Sequence, residues 1–142
     1  MTLPILLTGP MIRRAEPRQV TLFIVSSQQA PFKVNAPALG EFEQTQQILA
    51  LGEHCFCHFY FLNSTSTAGF VVDTLISYQL EHNNASVDLS AFYLDGQSSC
   101  SFVIAKQLSS ILHGSCRKPH HESKDALITA SHFLASKRKN SE

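Results

Sequence analysis

From residue 3 to about 113 the chain alternates short apolar runs with turn residues. PILLTGPMIRR (4–14) and RQVTLFIVSS (18–27) predict two strands joined at Glu16-Pro17. In the second, Val20, Leu22 and Ile24 alternate with Thr21, Phe23 and Val25, so both faces are largely apolar. PFKVNA (31–36) predicts a short strand closed by Pro37. GEFEQTQQILAL (40–51) fits either a strand with an irregular tail or one weak helix. HCFCHFYFLN (54–63) carries the strongest strand signal. DTLISYQLEHN (73–83) and SVDLSAFYLDG (86–96) alternate on either side of Asn83-Asn84, and Asp95-Gly96 is a turn signal. SCSFVIAKQ (99–107) and SSILHGSC (109–116) close the series. Roughly seven to nine short strands at about 8–12-residue spacing predict a β-sandwich.

The period then changes. In KDALITASHFLAS (124–136), Ala126, Leu127, Ala130, Phe133 and Leu134 recur at spacings of three and four, which predicts one amphipathic C-terminal helix. Ser123 suits its N-cap, Asp125 favours its first turn, and Lys137, Arg138 and Lys139 favour its last. The expected fold is therefore mainly β: a sandwich over 1–113, followed by a loop and helix over 114–142.

Composition narrows the function classes. Lys and Arg balance Asp and Glu at 11 each, so the formal net charge is zero. That excludes a general nucleic-acid binder, whose phosphate contacts need a basic excess. Charged residues make up 15% of the chain, well under the usual ~25%. The opening MTLPILLTGPMIRRAEP places its arginines after the apolar run, the wrong layout for a secretory signal. No apolar stretch approaches the ~20 residues of a membrane helix. Four cysteines in that context are expected to be free thiols, and a cytoplasmic location follows.

Two clusters invite a chemical reading. His54-Cys55-Phe56-Cys57-His58 resembles a zinc ligand set, but in a strand His54 and His58 face one side and the cysteines the other, so the four cannot converge. The cysteine face continues into Phe59 and Phe61, which predicts Cys55 and Cys57 as core residues. His82 and Cys100 read as packing or surface residues. The second cluster, ILHGSCRKPHH (111–121), ends a strand candidate at Gly114. Cys116 beside Arg117 and Lys118 is placed to favour its thiolate, a soft metal ligand. Arg117 offers a planar fork for a phosphate, and His113, His120 and His121 add ligands or proton carriers. A polar loop with an inert thiol fits the same residues.

LPILLTGPMIRRAEPRQVTLFIVSS together with ILHGSCRKPHHESKDAL resembles the PhoD-like alkaline phosphatases, a metallophosphoesterase family. The GSCRKPH segment carries most of the likeness. The resemblance implies an immunoglobulin- or fibronectin-like N-terminal sandwich, with 114–142 as the start of a truncated catalytic domain. It implies Cys116 as a metal ligand and Arg117 as a phosphate contact, with His113, Lys118 and His120 as auxiliaries. Iron and calcium are the metals it implies for the complete enzyme. The family's further ligands belong to a catalytic metallophosphatase domain that has no counterpart here, so the chain alone is expected to be inactive. That domain is the expected partner, and homodimerisation through helix 124–136 is a second expectation. No membrane or nucleic-acid partner is expected. Two alternatives stay open: a stand-alone immunoglobulin-like binding module for a protein or carbohydrate, with Tyr60, Tyr78 and Tyr93 as candidate contacts, and a small metal-binding protein.

Overall fold

The computed structural model describes residues 3–93, 97–108, 111, 129, 130, 132–134 and 136. They form a mainly β fold. One antiparallel sheet has the order β1-β2-β5-β4, built from β1 (Leu6–Ala15), β2 (Gln19–Ser26), β5 (Cys55–Ser64) and β4 (Phe42–Gly52). A second sheet centres on β6 (Leu75–His82). Its partners are β3 (Lys33–Asn35), β7 (Ala85–Ser86) and β8 (Cys100–Val103). At the C-terminus, Thr129, Ala130, His132, Phe133, Leu134 and Ser136 have helical backbone, in line with the predicted helix.

The two sheets share one hydrophobic core. Val20, Leu22 and Ile24 of β2 and Tyr60 and Leu62 of β5 meet Ile76 and Leu80 of β6 there, each fully buried. Burial of such side chains is worth about 1.5–3 kcal/mol each, so this interleaved layer dominates the stability of the sandwich. Period-two alternation on β2 and β5 delivers these residues to a single face.

Local chemistry sets the connections. Glu16 and Gln19 exchange backbone hydrogen bonds across the β1–β2 turn at 3.0 and 3.2 Å, where the sequence predicts it. Asn83 and Asn84 hold φ of 50° and 61°, the left-handed pair that a tight hairpin turn after β6 requires. Gly69 has φ +83°, and a Cβ there would lie 2.5 Å from the Pro17 carbonyl, so only glycine fits where this loop crosses the β1–β2 turn.

One segment settles an open alternative and one departs from expectation. The ambiguous run 40–51 resolves as strand: β4 pairs with β5 from Phe42 to Gly52. Its isolated helix signal loses to an eleven-residue strand with ten paired positions along the strongest strand of the chain. Conversely, 86–93, the described part of the 86–96 run, is not a long strand, and the Asp95-Gly96 turn lies outside the described residues. The Asp88 carboxylate accepts the Ser90 N–H at 2.9 Å, a local bond that turns the chain into a 3-10 turn at Ser90–Phe92 and ends β7 after two residues. Ile111, the one described residue of the final strand candidate 109–116, lies outside strand and is exposed.

The β3–β4 side of the sandwich is joined by side chains. The Gln44 amide oxygen accepts from the Val34 N–H and its nitrogen donates to the Phe32 carbonyl, both at 2.8 Å. Gln44 thus pairs with the β3 backbone much as a neighbouring strand would.

Candidate functional site

The residues singled out from the sequence, His113, Cys116, Arg117, Lys118, His120 and His121, lie outside the described residues. So does Ser123, the expected N-cap.

The His54–His58 cluster is described, and its ligand types do diverge. His58 turns into the core and is fully buried, Cys57 faces the other way, and His54 sits exposed in the β4–β5 turn. The expected direction of the faces is reversed, however. The core side of β5 is the one carrying His58, Tyr60 and Leu62; Cys57 is buried as expected, but on the opposite side and outside the main core cluster. Polar tips explain the inversion. Ser26 Oγ and His58 Nε2 are 2.6 Å apart, and Ser26 donates to the Gln28 carbonyl at 2.5 Å. His58 Nδ1 lies 3.1 Å from the Tyr60 hydroxyl, which accepts the Phe32 N–H at 2.9 Å. Each polar atom finds a partner, so a histidine and a tyrosine can occupy core positions.

Serine beside histidine invites comparison with a nucleophilic pair, but both residues are completely buried and no solvent path reaches them. The network is architectural. Burial holds the His58 pKa below its usual 6.5, opposed in part by the Gln28 carbonyl, and pushes the Tyr60 hydroxyl up to about 12. A depressed folded pKa means that the unfolded chain takes up the proton first. The stability contributed by neutral His58 is present above pH 6.5 and is lost as pH falls through the lower folded value. The melting temperature is therefore expected to be level above about pH 6.5 and to drop below it, and His58→Gln should flatten that drop in a pH series of thermal melts.

Tyr78 and Cys100 are also core residues. Burial raises both pKa values, and the neighbouring Cys100 raises that of Tyr78 further, so Cys100 is an inert thiol. His82 packs at the sandwich surface, its ring 5.3 Å from that of Phe32. Tyr60 and Tyr78 are buried and Tyr93 packs against the core, so these three tyrosines do not form an exposed binding face.

The outward face of the β1-β2-β5-β4 sheet was not foreseen. Met11, Phe23 and Phe59 are in register across three strands, as are Val25 with Cys57 and Thr21 with Phe61. The Phe23 and Phe59 rings pack at a tilt, their centroids 5.0 Å apart. Met11 is 42% exposed, and Phe23, Val25, Phe59 and Phe61 are half-buried. A solvated sheet face would alternate to polar residues here. The legible signal was the two-sided apolar pattern of β2.

An open groove of about 520 Å3 runs beside β3 and β4, lined by Lys33, Asn35, Pro37, Phe42 and Gln44 among others, with no acid, histidine or cysteine. Among the described residues, no group of three or more His, Cys, Asp or Glu is disposed to hold a metal ion. These residues therefore do not fit an iron or calcium centre. Among them, too, no helix is long and apolar enough to cross a membrane. No family model, no curated protein and no solved structure matches the chain.

Proposed function

We propose that this chain is a docking β-sandwich, the N-terminal accessory domain of a PhoD-like metal-dependent phosphatase, with the outward face of the β1-β2-β5-β4 sheet as its docking surface. The observation that carries this reading is the apolar band formed there by Met11, Phe23, Val25, Phe59 and Phe61. A contiguous apolar patch on a sheet face marks an interaction surface. The strand order also favours the reading. β1-β2-β5-β4 facing β3, β6 and β8 is the strand grouping expected of an A-B-E-D against C-F-G immunoglobulin-type sandwich, with β7 as an added short strand.

On this reading Cys116 and Arg117, with His113, Lys118 and His120 nearby, follow the last strand of the sandwich toward the partner domain. Iron and calcium belong to the assembled enzyme, and the remaining ligands come from the metallophosphatase domain. A cytoplasmic setting suits the free thiols Cys55, Cys57 and Cys100.

The test is catalytic. Purified chain supplied with ferric iron and calcium should not hydrolyse bis(p-nitrophenyl) phosphate above the metal-only rate. Metal-dependent turnover that disappears in Cys116→Ala would overturn the proposal in favour of a self-sufficient metalloenzyme.

A further inference from the structure

Edge strands present unpaired backbone groups that template pairing with another chain unless something blunts them. Most edges here are blunted. β3 spans three residues, and its Val34 N–H, with the N–H and carbonyl of the preceding Phe32, is taken by Gln44 and Tyr60. β7 and β8 are two and four residues long. β1 carries Pro10, which has no N–H, exposed Arg13 and Arg14, and three irregularities in its register with β2.

β4 lacks these devices along most of its length, its one register irregularity lying at the very end, between Ala50 and Gly52. It runs for eleven residues, Phe42–Gly52, and β5 is its one strand neighbour among the described residues. It contains no proline, lysine or arginine and a single acid, Glu43. Leu49 and Leu51 near its end are 58% and 62% exposed.

We propose that the β4 edge pairs antiparallel with the β4 edge of a second copy, joining two four-stranded sheets across a two-fold axis at Gln47. Gln47 is the midpoint of the strand, so this register pairs the greatest length. It sets Thr45 opposite the partner copy's Leu49, Gln46 opposite its Ile48, and the two Gln47 amides opposite each other, where each can donate and accept. The two Glu43 carboxylates lie at opposite ends, separated by about 27 Å of strand, so no like charges meet. A net charge of zero leaves two copies without long-range repulsion. The register irregularity at Ala50–Gly52 ends the ladder. Because the contact is isologous and uses the one unblunted edge among the described residues of each copy, assembly closes at the dimer and does not run on into a filament.

Sedimentation velocity and light scattering on the full chain test this. The expected mass is twice 15.7 kDa. Gln47→Lys sets two cations against each other on the axis and should return the chain to monomer with an unchanged near-UV spectrum. Gln47→Cys places two thiols on the axis, where Cα atoms about 4.5–5.5 Å apart suit a disulfide. It should form a covalent dimer on mild oxidation beyond any wild-type background, whereas Thr45→Cys should not. A monomer at every concentration would overturn the proposal. So would a dimer indifferent to Gln47→Lys, which would place the contact elsewhere, for example on helix 124–136, or growth beyond two copies.

Discussion

Tyr60→Ala is expected to destabilise the sandwich by about 3–5 kcal/mol, the range for removing a large buried aromatic. Tyr60 is fully buried at the centre of β5, packed edge-on against Phe32 and stacked on His58. A domain of this size has about 5–15 kcal/mol in total, so the variant should sit near its unfolding midpoint at ambient temperature. Tyr60→Phe separates packing from hydrogen bonding. It keeps the ring but leaves the Phe32 N–H, buried between the sheets, without an acceptor, and should cost about 1–3 kcal/mol. Urea denaturation followed by circular dichroism measures both. Equal losses for the two variants would mean that the hydroxyl, not the ring, carries the site.

The same residue marks where the sequence was informative and where it was not. Strand positions were legible because alternation and turn residues are local: Glu16-Pro17, Asn83-Asn84 and the strong run 54–63 all fall where the pattern put them. Which face of β5 turns inward was not legible. Both sides of that strand are apolar enough to be buried, and the choice rests on partners distant in the chain, Ser26 and the Phe32 backbone, that satisfy His58 and Tyr60. β4 escaped a firm reading for a related reason. FEQTQQILALG has weak intrinsic preference, and its strand state comes from pairing with β5. The 86–96 run misled because alternation was real while the Asp88 side chain bonded locally to Ser90.

For function, the motif around Cys116 was visible in the sequence, and it lies outside the described residues. The apolar outward sheet face left its trace in the two-sided apolar pattern of β2, but such a strand reads equally as one between two layers, so the pattern alone does not mark a surface. On β2 and β5 one of those layers is absent among the described residues, and the docking proposal assigns it to a partner domain.

A charge placed in that face should therefore have a large effect on association and little on folding. Met11 is 42% exposed and in register with Phe23, so Met11→Glu should change stability by no more than about 0.5 kcal/mol, as surface substitutions do. In a docked interface the same carboxylate would be desolvated without a partner, which weakens binding by about tenfold or more. The most direct measurement is calorimetric titration of the chain into a PhoD-type metallophosphatase domain prepared without its own N-terminal sandwich. The docking account predicts saturable binding with a negative heat-capacity change that Met11→Glu weakens by that factor. Absence of binding, or binding that Met11→Glu leaves untouched, would contradict it.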